Sequence, residues 1–528
     1  MARGDWWKYG IIYHIYPRSF ADGNGDGVGD LTGIIDRLDY LMHETRECLG
    51  IDAIWISPFY RSPMVDFGYD VSGYCDVDPV FGALDDFDRL LAEARARGIR
   101  VIVDLVPNHT SDQHPWFLQS RSSIDSPKRD WYVWADPKPD GSPPNNWLSS
   151  FERVGPAWSL DEKSGQYYLH SFLPQQPDLN WWNPEVREAM NGIMQFWLDR
   201  GVDGFRIDAV HRMGHDPKLR DNPRSGSGAG NIRYDMDRPE VHNLLRSFRR
   251  TLDGYDDRMA VGEVYLLDPA RVVRYYGSDA DELHLAFNFS FLHQPWKAEA
   301  FRASVGLFES LLPEHAWPVY TLSNLDHSRT ASRYDEGGNG QARARVAAMM
   351  LLTLRGTPFL YYGEEIGMTN GAIPLDRVVD IDGRDPERTP MQWDATTGAG
   401  FTTGEPWLPV ASGHERCNVA AQRDDPASML SLYRRLICYR KGSGALCRGD
   451  YRPIPDVPDG VFAYLRQDGN NRLLVALNFT SEPVKFNAVG LPGWGERELS
   501  TAAERECGRV CLTPVALSGD EGTIIRLS

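Results

Sequence analysis

The stretch PEVREAMNGIMQFWLDRGVDGFRIDAV, residues 184–210, sets the architecture. Its first part reads as a helix that starts at Pro184 just after Asn183, where a proline has no hydrogen-bonded N–H to lose. Its second part, VDGFRIDA (202–209), is a short apolar run closing on an acid, Asp208. A helix feeding directly into such a run is the repeating unit of a parallel sheet. The alternation extends both ways. Upstream lie GIIYHIY (10–16), IDAIWIS (51–57) and IRVIVDLV (99–106); downstream lie MAVGEVY (259–265), HLAFN (284–288), PVYTLSN (318–324) and TPFLYYGEE (357–365). Helical patterns separate most of these runs, among them ALDDFDRLLAEARARG, PEVHNLLRSFRRTL with Pro239 in its first turn, and NGQARARVAAMMLLTLRG. Eight strands with interleaved helices predict an α/β fold, a (β/α)8 TIM barrel, with a doubly wound sheet as the alternative.

The spacing is uneven in one place. About 75 residues rich in Trp, Pro, Asn and Asp separate the third run from the helix at Pro184. Loops that long usually fold or function, so residues 106–178 are expected to form a small inserted domain over the barrel mouth. The barrel then comprises 1–105 and 179–445. From 446 to 528 the pattern becomes alternating, as in GVFAYLRQ, NRLLVALNFT and GTIIRLS, which predicts a C-terminal antiparallel β domain of sandwich type.

Composition narrows the partners. A net charge of −18 argues against nucleic acid and anionic membrane surfaces, both of which need a positive footprint, and favours a neutral small molecule. No stretch approaches the ~20 apolar residues of a membrane span. Seven scattered cysteines read as thiols of a reducing cytoplasm, and no apolar export signal follows the first residues. A monomer or homodimer is expected. The 16 tryptophans suit stacking on sugar faces, although a large core explains them equally.

Two acidic patterns carry chemistry. The first is DGNGDGVGDL (22–31), with oxygen-bearing side chains at Asp22, Asn24, Asp26 and Asp30. Position twelve counted from Asp22 is Gly33, so the closing Glu of an EF-hand is missing. The four side chains, with the Val28 carbonyl, form a hard-oxygen set suited to Ca²⁺ or Mg²⁺; a solvated acidic turn is the plain alternative. The second is a set of acids at strand ends: Asp208 closes DGFRID, Glu263 closes AVGE, and Asp326 follows TLSN. In a barrel these converge on one mouth, and Arg206 shares a strand face with Asp208. Each acid alone has a helix cap or ion pair as its bland reading. Carboxyl groups grouped without a phosphate loop, nucleotide fingerprint or nucleophile elbow point to glycosidic bond cleavage, in which one carboxylate attacks and another protonates the leaving oxygen.

The segments DLVPNHT (104–110), QPDLNWWNP (176–184), DGFRIDAV (203–210), VGEVY (261–265), SNLD (323–326) and GTPFLYYGEEIGM (356–368) resemble the ordered motifs of the alpha-amylase family of glycoside hydrolases (family 13). DFGYD (66–70) and RTPMQWD (388–394) resemble those of its alpha-glucosidase and oligo-1,6-glucosidase group. The resemblance covers essentially the whole chain. It implies Asp208 as nucleophile, Glu263 as acid/base and Asp326 as the carboxylate holding sugar hydroxyls. It places His109, Arg206 and Asp70 around the terminal glucose, with Arg388 paired to Asp70 so that the site is a pocket and the action exo. Phe172 is a further substrate-side candidate, with core packing as its alternative. The resemblance also implies a structural Ca²⁺ or Mg²⁺ on the Asp22, Asn24, Asp26, Val28 and Asp30 loop, and no organic cofactor. Ala209, following the nucleophile, resembles enzymes that prefer α-1,4 linkages to α-1,6.

One position departs. The family pattern Asn-His-Asp is here Asn324-Leu325-Asp326, which removes a contact to the sugar worth ~1.5–3 kcal/mol unless another group, such as His327, supplies it. The expected activity is a retaining exo-alpha-glucosidase with some glucosyl transfer. The rivals are a transglucosidase, sucrose isomerase or trehalose synthase of the same fold, and a non-catalytic relative acting as a binding subunit.

Overall fold

The computed structural model describes residues 4–42, 48–223 and 233–527. Eight short strands in chain order build the central sheet: β1 Ile12–Ile15, β2 Ala53–Ile56, β3 Arg100–Leu105, β4 Gly204–Ile207, β5 Met259–Gly262, β6 Leu285–Ala286, β7 Val319–Tyr320 and β8 Thr357–Tyr361. They pair in parallel in the order β6-β5-β4-β3-β2-β1-β8-β7, a nearly closed barrel.

Strand alternation sorts the side chains into two cores. Ile12, Ala53, Trp55, Ile102, Met259, Val261 and Phe359 fill the lumen. Their chain neighbours Tyr13, Ile54, Val101, Val103, Phe205 and Ala260 face outward, into the larger core under the helices. The helix Pro184–Arg200 shows the local logic. Asn183 caps it by accepting from the Glu185 N–H at 2.9 Å, and Gly201 ends it at φ 104°, where a Cβ is disfavoured.

Several expected bounds shift. The sixth and seventh runs shrink to two-residue strands, and the eighth stops at Tyr361, Glu364–Ile366 being a 3₁₀ turn. The helix expected to begin at Pro239 begins at Val241, because the left-handed Asp237 (φ 50°) and the turn after it precede the first helical residue. The inserted segment holds the helix Pro115–Ser122 and a three-stranded sheet of Trp134–Ala135, Trp158–Asp161 and Gln166–Leu169, with its own core of Val133, Trp147, Trp158 and Leu169.

The C-terminal region is a six-stranded antiparallel sheet with an added two-stranded pair, Val484–Phe486 and Val515–Leu517. It is fastened to the barrel by a buried guanidinium. Arg466 donates to the carbonyls of Thr353 and Gly449, and Tyr464 Oη meets Thr353 Oγ1 at 2.6 Å. Below them Arg440 donates to the carbonyls of Leu352, Leu354 and Gly356. The segment leading into β8 is thereby held from both sides.

Candidate active site

Parallel register brings the acids together. Asp104 on β3 lies beside Arg206 on β4, which lies beside Val261 on β5. One step further along the strands, Asp208 and Glu263 stand at the same level, both on the lumen face. Arg206 is the hub. Its Nη1 donates to Asp104 Oδ1 at 2.8 Å and Asp208 Oδ1 at 2.6 Å, and its Nη2 pairs with Glu263 Oε1 at 3.0 Å. Glu263 Oε2 accepts from the Ala209 N–H at 2.9 Å. Ala209 itself sits in the left-handed region (φ 44°, ψ 36°), a strained place for a residue with a Cβ.

Environment separates the three expected acids. Burial raises Asp208 to about 6, with Arg206 opposing. Burial raises Glu263 further, to about 8, because the charges of Asp208 and Asp326 add to it against Arg206. Burial would also raise Asp326, but the guanidinium groups of Arg384 and Arg388 carry it down to about 2. Arg384 Nη1 and Arg388 Nη2 both reach Asp326 Oδ1, at 3.1 and 3.0 Å.

These groups line a cavity of about 340 Å³ together with Asp66, Tyr69, His109, Phe151, Phe172, Ala209, Tyr265, His327 and Arg384. That is near the small end of the roughly 300–1,000 Å³ usual for ligand pockets. His109 is buried, with its Nε2 3.1 Å from the Tyr69 carbonyl and 3.2 Å from Gln176 Nε2, and its Nδ1 3.3 Å from Asn108 Nδ2.

The expected Asp70–Arg388 pair does not form. Asp70 is fully buried and turns back on its own loop, accepting from Ser62 Oγ and from the N–H groups of Val65 and Asp66. The wall is built four residues earlier on each side, where Asp66 Oδ1 accepts from Arg384 Nη2 at 2.7 Å. The reversal at Phe67 (φ 47°) and Gly68 (φ 109°) sends Asp66 and Asp70 in different directions. Arg388 lies beneath the cavity, bonded to Asp326 and to the Leu325 carbonyl at 2.7 Å. Leu325 is 1% exposed and belongs to the core, so the cavity carries His327 but no side chain from position 325.

Sequence reasoning missed Asp66, Tyr69, Asp104, Tyr265 and Arg384 as site residues. Asp104 had a visible signal, an acid inside an apolar strand, yet the criterion of closing a strand passed over it. Asp66 belongs to DFGYD, already singled out, where only the chain reversal decides which acid faces the cavity; Arg384 lies four residues ahead of RTPMQWD and outside it.

In the first loop Asp22, Asn24 and Asp26 accept the N–H groups of Asn24, Gly25, Gly27, Asp26 and Val28, and Asp30 caps the next helix through Gly33. Among the described residues no Lys or Arg pairs with these three carboxylates, and no three His, Cys, Asp or Glu side chains gather as a metal cluster. A cation there would draw on Asn24 and the Val28 carbonyl besides the acids; the all-oxygen chemistry and the uncompensated charge fit Ca²⁺ or Mg²⁺.

The sequence matches the family described as "Alpha amylase, catalytic domain" over residues 14–449. The chain belongs to the alpha-amylase family. It is therefore a glycoside hydrolase of that family, with the family's barrel and an antiparallel C-terminal domain. It is 44% identical over 507 residues to a probable alpha-glucosidase of Rhizobium meliloti (strain 1021), covering 90% of each chain. It is 41% identical over 530 residues to an oligo-1,6-glucosidase of Heyndrickxia coagulans, covering 92% of this chain and 94% of that one. Its structure is similar to that of the trehalulose synthase MutB from Pseudomonas mesoacidophila MX-45, with a TM-score of 0.92, 37% identity and 99% of both chains covered. Among the described residues no helix is long and apolar enough to cross a membrane.

Proposed function

We propose that this enzyme is a retaining, exo-acting alpha-glucosidase that removes terminal α-linked glucose from short oligosaccharides. The observation that carries the reading is one guanidinium, Arg206, holding Asp208 and Glu263 at the same level of a cavity that the Asp66–Arg384 ion pair also lines. Carboxyl groups that share one guanidinium suit the short separation of double displacement better than the wider gap that inversion by water needs.

In the first step the Asp208 carboxylate attacks the anomeric carbon while the Glu263 carboxyl gives its proton to the glycosidic oxygen. The bond to the leaving sugar breaks and a glucosyl ester forms on Asp208. The split in acidity suits these roles near neutral pH, with Asp208 at about 6 largely ionised and Glu263 at about 8 largely protonated. Esterification removes the Asp208 charge that helps raise Glu263. Glu263 then becomes the stronger acid, its carboxylate is available to take a proton from water, and the water oxygen attacks the anomeric carbon, breaking its bond to Asp208 and restoring the carboxylate with net retention. Asp326, low at about 2, stays ionised throughout and accepts from sugar hydroxyls. The Asp66–Arg384 pair in the cavity lining supports reading the site as one that takes a chain end, which is the basis for proposing exo-action.

The small Ala209 at the cavity wall supports an α-1,4 preference. A second reading, in which the glucosyl group returns to the leaving sugar as in an isomerase, is supported by the likeness to the trehalulose synthase. Incubation with maltose, isomaltose and sucrose tests both: free glucose supports hydrolysis, and accumulation of rearranged disaccharide from sucrose overturns it. We also assign a structural Ca²⁺ or Mg²⁺ to Asp22, Asn24, Asp26, the Val28 carbonyl and Asp30, away from the chemistry.

A further inference from the structure

Between the acid/base and solvent lies a cluster to which the hydrolytic roles assign nothing. Tyr265 stands two residues after Glu263 and is 39% exposed at the cavity mouth. Its hydroxyl lies 2.7 Å from His293 Nε2 and 3.4 Å from His327 Nε2, and the Tyr265 and His327 rings stack at 5.9 Å with 21° between their planes. The protons can be assigned. The Asn324 side-chain oxygen accepts from the Asp326 N–H at 2.9 Å and lies 2.9 Å from His327 Nδ1. An amide oxygen only accepts, so His327 carries its proton on Nδ1. Its Nε2 is then a lone pair. The phenol hydroxyl sits closer to His293 than to His327. His327 Nε2 thus has only a long contact with Tyr265, on a residue that lines the cavity. Burial keeps both imidazoles neutral at ordinary pH, His327 falling to about 4 and His293 also lowered.

The position fixes which sugar would use this acceptor. In the reading above, the side of the Asp66–Arg384 pair holds the glucose that becomes the ester. The leaving sugar must lie on the side of the group that protonates the glycosidic oxygen, which is Glu263, and of the open mouth, which is Tyr265. We propose that His327 Nε2, held by Asn324 and flanked by the Tyr265 hydroxyl, accepts a hydrogen bond from a hydroxyl of the leaving or incoming sugar, making His327 and Tyr265 specificity residues of the aglycone side. This rests on the alpha-glucosidase reading above.

The test compares maltose with p-nitrophenyl α-glucoside. Both present the same terminal glucose, but nitrophenolate has no hydroxyl to donate. His327→Phe keeps a flat ring and loses the acceptor; it should lower kcat/KM on maltose relative to the nitrophenyl substrate about threefold to tenfold, the size of one neutral hydrogen bond. His327→Gln, whose amide oxygen accepts, should restore most of that ratio. Tyr265→Phe should move the ratio the same way and serves as the second probe if His327→Phe melts early. An equal loss on both substrates, or an unchanged ratio in a folded variant, overturns the proposal. If the wild-type enzyme releases no glucose from either substrate, the alpha-glucosidase reading itself falls, an outcome distinct from a wild-type enzyme whose variants show no selectivity.

Discussion

The molecule gathers carboxylates in two places by opposite means. In the first loop Asp22, Asp26 and Asp30 are close in sequence and spend their oxygens mainly on nearby backbone amides, Asp22 also accepting from the Thr402 hydroxyl. At the barrel mouth Asp66, Asp104, Asp208, Glu263 and Asp326 come from distant segments, and their partners are three guanidinium groups, those of Arg206, Arg384 and Arg388. Amide partners are fixed by local chain geometry and leave a group suited to shaping a turn. Buried guanidinium partners set several acids against one another, which separates their proton affinities from about 2 to about 8. Acidity can be tuned for catalysis only in the second arrangement.

The largest effect should come from Asp208→Asn. It removes the attacking oxygen and should lower kcat by about 10⁴-fold or more. Stability should move the other way. The folded Asp208 value of about 6 exceeds that of an unfolded carboxyl, so this group contributes stability at low pH that is lost as pH rises through about 6. A neutral amide avoids that loss, and the melting temperature at pH 7 should hold or rise. A large drop in melting temperature would show that Asp208 is a structural partner like the loop acids.

Glu263→Gln should cost about 10²–10⁴-fold on maltose. In the wild-type enzyme kcat/KM should fall on the acid side near 6, as Asp208 takes up a proton, and on the alkaline side near 8, as Glu263 loses one. The alkaline limb should vanish in the Gln variant, and its survival there would reassign the acid. Asp66→Asn should come next, weakening the wall at Arg384. A drop of about 10- to 100-fold in kcat/KM on maltose, carried mainly by KM, corresponds to one charged hydrogen bond of ~1.5–3 kcal/mol. The same change at Asp70 should instead appear as lost stability, since Asp70 holds only its own loop.

The smallest effect on rate belongs to the first loop. Removing divalent cations with a chelator should lower the melting temperature by a few degrees and leave kcat at moderate temperature almost unchanged. A melting curve indifferent to chelator would remove the ion from this loop.

What could be read in the sequence follows the same division. Asp208 and Glu263 directly follow apolar strands, so strand periodicity points them to one mouth, whereas Asp326 lies six residues beyond Tyr320, where its strand ends. Position on a regular strand is information that a sequence carries. The Asp66–Arg384 wall lies on irregular segments, where a positive φ at Phe67 decides which of two acids four residues apart faces the cavity. No periodicity reports that reversal. His327 lies between these cases. The run expected over 318–324 ends before it and its strand stops at Tyr320, so its place comes from a turn stitched by Asn324, whose oxygen serves the Asp326 backbone and lies 2.9 Å from the imidazole.

The buried Arg466 has a consequence for how this enzyme can be divided. Its head group terminates on carbonyls from the end of one barrel helix and from the start of its own sheet. Cutting the chain at residue 445 would take the Arg466 donor from the Thr353 carbonyl and the Tyr464 hydroxyl from Thr353 Oγ1, leaving Arg440 alone to hold the segment that leads into β8. The last eighty or so residues are thus a keystone for the catalytic half, and a shortened enzyme should collapse at the eighth strand before any carboxylate has been touched.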